Sequence, residues 1–246
     1  YKRQIFNLTL FSLLTTFFQT PCWAAAGDIV VQRGTTDFGA SENSEVVTIN
    51  SIPSTSSAFV RITNVVHASI GPALGTTGTR NNDDIGVIAS LTSTSSITFS
   101  RLSSGINEDV RVFWEVWSYE GSSGGANEFI VRDHSNISLS TSNSTATKNI
   151  SGITSLNKTV PFISGVYNTQ TGRTWDDVNV TAEMQTSGPN DQVLLTRGGT
   201  SGTTTVSVST VEFTGSNWNI QNIEHEFLSA GATESESITP VTSWNN

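Results

Sequence analysis

Residues 83–121 and 176–215 run through the same residue types in the same order, and this duplication limits the chain more than any other feature. Asp83-Asp84-Ile85 is matched by Asp176-Asp177-Val178, Ala89-x-Leu91 by Ala182-x-Met184, and Ile97–Arg101 (ITFSR) by Val193–Arg197 (VLLTR). Both stretches then close in the same way, Val116 to Gly121 against Thr210 to Gly215. A repeat of roughly 100 residues means one supersecondary plan used more than once. The copies differ in length between Leu91 and Ile97 against Met184 and Val193, and between Arg101 and Val110 against Arg197 and Thr204. Ser, Thr, Gly, Asn and Asp cluster there, so the length changes mark surface turns, which tolerate insertion where paired strands do not.

Composition points to the same kind of fold. Of the 246 residues only 13% are charged, and the formal charge is −9 with a pI near 4.7. Strands draw on Val, Ile and Thr and turns on Gly, Asn and Ser, which suits an all-β secreted or surface protein. An acidic surface with no Lys/Arg cluster repels phosphate backbones, so nucleic acid is excluded as an expected partner.

The N-terminus reads as an export signal over residues 1–26. Lys2 and Arg3 precede an apolar run from Ile5 to Phe18, and Ala24-Ala25-Ala26 supplies small residues for cleavage. The opening residues Tyr1 to Gln4 are read as a sequencing-library remnant at its head. The run is shorter than the ~20 residues a bilayer-spanning helix needs, so the mature chain has no expected membrane span. Removing the leader also removes Cys22, the one cysteine, so disulfides play no part.

Short strands follow at intervals of 8–12 residues, without helical periodicity. The first unit, 27–129, reads as strands at 28–33, 45–49, 58–66, 85–91, 97–101 and 110–119. The second, 130–227, has its own at 146–150, 160–166, 178–184, 192–197 and 203–213, with the strand at 128–132 opening it across the boundary. The expected fold is therefore all-β, two tandem antiparallel β-sandwich domains of Ig-like or jelly-roll-like character. Val110, Val112, Trp114 and Val116 share one strand face, and the apolar set then switches parity to Trp117 and Tyr119. The second copy repeats the switch, from Val206 and Val208 to Val211 and Phe213. With a side-chain period of two, that requires a bulge or burial of both faces. Pro189-Asn190 and Gly198-Gly199 are expected in hairpin turns, and Gly121–Gly125 in a surface loop at a close joint. Residues 228–246 read as the truncated start of a third repeat or as a tail, the repeat because Ile238-Thr239-Pro240-Val241 has the form of Ile49-Asn50-Ser51-Ile52 and Ile150-Ser151-Gly152-Ile153.

The residues that could carry chemistry are few. His67, His134 and His225 stand in no nucleophile motif, so no catalytic residue is assigned. Asp83, Asp84, Asp176 and Asp177 place hard oxygen ligands at the same boundary of both copies and are the candidate calcium ligands. The alternative is that these Asx side chains cap the turn by hydrogen-bonding local backbone N–H groups. Trp175 and Trp218, with Arg173 nearby, are the candidate ligand-binding residues, since a loop tryptophan can stack on a sugar ring. Packing at the edge of the core is the alternative for both tryptophans.

Val31-Gln32-Arg33-Gly34-Thr35, the strand ending in Ile49-x-x-Ile52, Phe59-Val60 and the Val-Glu-Phe-x-Gly of Val211–Gly215 together resemble the tandem β-sandwich repeats of phage tail-fibre-like proteins and large secreted bacterial surface proteins. That resemblance implies a non-catalytic structural or adhesive role outside the cell. Its expected partners are neighbouring repeats, cell-surface glycans or other copies. The alternative is a carbohydrate-binding module of a larger secreted protein.

Overall fold

The computed structural model describes residues 28–39, 42–67, 86–102, 109–169, 175–221 and 237–239. The expected leader, residues 1–26, and most of the 228–246 tail lie outside the described residues. Alternating β-branched and hydroxyl residues, broken by Gly, Asn and Ser turns, build twelve strands among the described residues. They are β1 (Ile29–Phe38), β2 (Ser44–Thr48), β3 (Ala58–His67), β4 (Val87–Ser93), β5 (Ser96–Arg101) and β6 (Val110–Tyr119). The second half gives β7 (Ile130–Leu139), β8 (Thr145–Ile150), β9 (Thr159–Asn168), β10 (Val180–Ser187), β11 (Asn190–Arg197) and β12 (Thr204–Glu212). The only α-helical piece described is a single turn, Trp175–Val178. No helix among the described residues is long and apolar enough to cross a membrane.

Every pairing in these sheets is antiparallel, and the fold is all-β and sandwich-like. One sheet runs β1-β6-β3 and another β10-β11-β8, while six strands form a single sheet in the order β2-β5-β4-β9-β12-β7. The order β1-β6-β3 recurs as β7-β12-β9, and β2-β5-β4 recurs as β8-β11-β10. The six-stranded sheet is thus a sheet of the first half continued by a sheet of the second. Its seam is β4 against β9, with Val87 paired to Val166 and Ile88 to Gly165.

The duplication extends to register and to buried polar contacts. In β3 the pairing with β6 slips between Ile62 and Asn64, and in β9 the pairing with β12 slips at the matching place, between Ile163 and Val166. Arg101 and Arg197, which close the repeated ITFSR and VLLTR segments, are 4% and 2% exposed. Arg101 donates from Nε to the Glu42 carbonyl (2.7 Å) and from Nη2 to the Gly39 carbonyl (2.6 Å). Arg197 donates from Nε to the Asn143 carbonyl (3.0 Å) and from Nη2 to the Ser140 carbonyl (3.0 Å), the same two positions of its own turn. A guanidinium can satisfy several carbonyls at once in a fixed fork, which is why one residue can hold each turn closed.

The parity switch comes from burial of both faces. Val206 and Val208 pack with Val193 and Leu195 on one side of β12, whereas Val211 and Phe213 join Phe59, Tyr119 and Phe129 on the other. In β6, Val112, Trp114 and Val116 enter the first half's cluster, while Tyr119 and the partly buried Trp117 belong to the shared aromatic one. One expectation fails: Gly198-Gly199 is not a hairpin turn. β11 and β12 lie in different sheets, so that segment crosses between layers. Gly188-Pro189 does form the two-residue loop between Ser187 and Asn190, with Gly188 at φ +61° as a primed turn requires. β1 and β7 each run ten residues, further than their patterns suggested, because both pair along their whole length with β6 and β12.

At the end of β12, Glu212 is 1% exposed and ion-paired to Arg132 at 2.6 Å. Its Oε1 accepts from the backbone N–H of Thr154 and Ser155 and from the Thr154 hydroxyl. Burial is the largest single influence and pushes the carboxyl upward, but the Thr154, Arg132 and Ser155 hydrogen bonds together hold it below the usual carboxylate range. A depressed folded-state pKa stabilises the fold above the ordinary value, and that contribution is lost as pH falls through the folded one. Glu212→Gln should therefore cost about 2 kcal/mol at neutral pH, and the difference from the parent should shrink below about pH 4, as paired denaturant titrations would show.

Candidate functional site

The part of the molecule with the most specific chemistry is the junction between the halves. At the seam Gly165 has φ +119°, and a β-carbon built there would lie 2.0 Å from the Val87 carbonyl oxygen. Only glycine lets β4 approach so closely. Beyond the seam, backbone carbonyls of the first half meet side chains of the second. Ser164 Oγ donates to the Val60 carbonyl, and Ser207 Oγ donates to the Ala89 carbonyl at 2.7 Å. His134 Nε2 lies 3.0 Å from the Thr55 carbonyl, which can only accept, so Nε2 carries the proton. Nδ1 then accepts from the Ser209 hydroxyl at 3.0 Å. Short hydroxyl side chains are what allow one backbone to come within hydrogen-bond range of another sheet's face. A polar cleft of about 170 Å³ remains beside them, lined by Ser90, His134, Asn136, Ser207 and Ser209 among others.

The far end of the junction is apolar. Phe59 stacks on Phe162 at 4.7 Å and meets Phe129 edge-on at 5.5 Å, while Phe213 meets Trp218 edge-on at 4.8 Å. These rings leave a pocket of about 170 Å³ lined by Phe59, Phe129, Phe162, Phe213, Trp117 and Trp218, with Arg61 as its one charged residue. The loop joining the halves is pinned to this end. Glu128 accepts from the Gly124 N–H and the Thr214 hydroxyl, and Tyr119 donates to the Ser122 carbonyl. The Thr214 hydroxyl and the Gly124 N–H hold the Glu128 carboxyl below its usual range. Gly121–Gly125 is therefore an ordered loop.

The sequence-derived candidates are not gathered into one place. Trp218 lies at the aromatic pocket with its ring edge against Phe213, which fits packing at the edge of the core. Trp175 opens the single helical turn, but its side chain and that of Asp176 lie outside the described residues, as do Arg173, Asp83 and Asp84. Asp177 is 4% exposed; its Oδ1 accepts from the Ser201 N–H at 2.9 Å, and its carbonyl accepts from the Thr204 hydroxyl. That arrangement organises the crossing between β11 and β12. Among the described residues, no group of three or more His, Cys, Asp or Glu is placed to hold a metal ion. Sequence reasoning missed Ser164, Ser207 and Ser209, whose pattern reads as an ordinary solvent face.

No protein-family model, no curated protein and no solved structure matches this chain.

Proposed function

We propose that this chain is a non-catalytic, extracellular structural or adhesive segment made of two tandem antiparallel sandwich units, about residues 27–129 and 130–227, exported by the leader at 1–26. The observation that carries this reading is the seam: β4 of one unit pairs with β9 of the next and makes one sheet of both. A sheet continued from unit to unit fixes their angle and passes tension through backbone hydrogen bonds, as a stalk or fibre needs. Weak contacts through exposed loops, multiplied by repetition, would supply adhesion. The resemblance to phage tail-fibre-like and bacterial surface repeats supports the same role.

The opening of a third unit also has support. Gln32 holds Asn50 by two hydrogen bonds, Nε2 to the carbonyl (2.9 Å) and the backbone N–H to Oε1 (2.7 Å). Gln221 holds Thr239 in the same way at 3.1 and 2.6 Å, and both pairs are 18 residues apart. The match supports reading Thr239 as the counterpart of Asn50 in an opening third unit. The pocket beside Trp218 favours a second reading, a carbohydrate-binding module. Its nearly all-aromatic lining offers a sugar few hydroxyl partners, so the structural reading is preferred.

Spin labels at Val46, which is 59% exposed, and at the exposed Ser216 test the proposal. The structural role requires one narrow distance distribution by electron double resonance. A broad distribution would remove the fixed spacing. Glycan binding that is lost in Trp218→Ala would transfer support to the module.

A further inference from the structure

Among the described residues the junction surfaces occur twice but meet only once. The β4 edge of the first half is covered, with Val87, Ile88 and Ala89 at 2%, 4% and 1% exposure. Their counterparts Val180, Thr181 and Ala182 on β10 are half-buried or exposed, and β10 has β11 as its one strand partner among the described residues. The receiving face shows the opposite bias. All nine residues of β12 are buried, whereas the matching β6 has buried and half-buried residues in alternation over most of its length.

The two unmatched surfaces differ in chemistry. On the face that receives β4, the cross-strand pair His134–Ser209 and the hydroxyls of Ser164 and Ser207 are neutral and mostly short. In the first half the cross-strand pair at that place is Arg33–Glu115, and Phe113 stands where Ser207 stands. Arg33 bonds Glu115 at 2.8 Å with its own side chain 64% exposed, and a second ion pair joins Arg111 to Asp37 at 2.7 Å. Laying another strand edge over that face would dehydrate both pairs, and Phe113 would block the approach of a backbone carbonyl. Stacked repeats require terminal units with a polar outer face of this kind.

We propose that assembly through this junction has a direction. The β9–β10 corner of the second half is a docking surface for a further repeat of this fold that carries a neutral, hydroxyl-lined face like β7-β12-β9. The β1-β6-β3 face of the first half is a closed cap towards such repeats. This inference rests on the tandem-repeat reading above. It follows from continuity with the existing junction: β10 offers Val180 and Thr181 where β4 offers Val87 and Ile88 to Val166 and Gly165.

The test is amide hydrogen exchange on three chains: the parent, one extended after Trp218 by a copy of residues 131–221, and one extended there by a copy of residues 30–121. The first extension should slow exchange at Val180, Thr181 and Ala182 at least tenfold, and the second should leave it unchanged. Equal β10 exchange in all three chains, or protection by both extensions, overturns the inference. Head-to-tail polymers of the parent chain, read by light scattering, would overturn the cap. Exchange at Val87 and Ile88 in the parent reports the tandem reading separately: if those amides are unprotected, that reading fails, and if they are protected while β10 does not respond, only the docking surface is lost.

Discussion

Replacing Gly165 with valine should destabilise the protein by about 4 kcal/mol and open the β4–β9 seam. Two costs combine at this position. A residue with a β-carbon is strained at φ +119°, and the new carbon falls 2.0 Å from the Val87 carbonyl oxygen, where backbone and not a flexible side chain has to move. The β4–β9 ladder consists of the pairs at Val166 and Gly165, while the Ser207 hydrogen bond to the Ala89 carbonyl and the shared aromatic cluster hold the halves beside it. Gly188 is the control. It also has positive φ, +61°, but no atom within 4 Å of a built β-carbon, so Gly188→Ala should cost only about 1 kcal/mol. Urea denaturation should show a much lower midpoint for Gly165→Val than for Gly188→Ala, and amide exchange at Val87 and Ile88 should rise in Gly165→Val alone.

The second large effect is expected at Arg197. Its guanidinium serves the Asn143, Ser140 and Gly202 carbonyls and the Thr204 hydroxyl, all in a site where the residue is 2% exposed. Burial pushes its pKa below the usual arginine range despite the nearby Asp177 carboxylate, and the surrounding protein oxygens stand in for water around the charge. Arg197→Ala would leave several buried carbonyls without donors and a space where the side chain lay. A loss of about 4 kcal/mol follows, enough to threaten the fold of the second half. Lysine should rescue little, because a single ammonium cannot reach carbonyls arranged for a planar fork. Thermal unfolding of both variants, with exchange at the 140–144 turn as local readout, checks this. Arg197→Lys at parental stability would show that the fork geometry does not matter.

Much of the architecture is readable in the sequence because strands write their pattern locally. β6 occupies Val110–Tyr119 as its alternation indicates, and the repeated shift from Val116 to Trp117 and from Val208 to Val211 marks strands buried on both faces. The junction is harder to read because pairing between units leaves few local marks. One existed: β4 carries Val87-Ile88-Ala89 where β10 carries Val180-Thr181-Ala182, an extra apolar residue on the side that becomes covered. The hydroxyl face of β12 misleads for a physical reason. Serine looks solvent-facing in a pattern, yet it is also the side chain that lets a backbone carbonyl approach. The two arginines stood out as repeat markers, but their burial did not, since arginine is almost never fully buried without partners and here the partners are backbone atoms distant in sequence. Trp218 was readable as an aromatic at a loop, though its place against Phe213 depends on the fold.

Backbone nuclear Overhauser contacts across β4 and β9 measure directly whether the two repeats share one sheet. Contacts between Val87 and Val166 and between Ile88 and Gly165 should be as strong as those between Val116 and Val60 within the first half. Strong contacts within each half, with none across the seam, would contradict it.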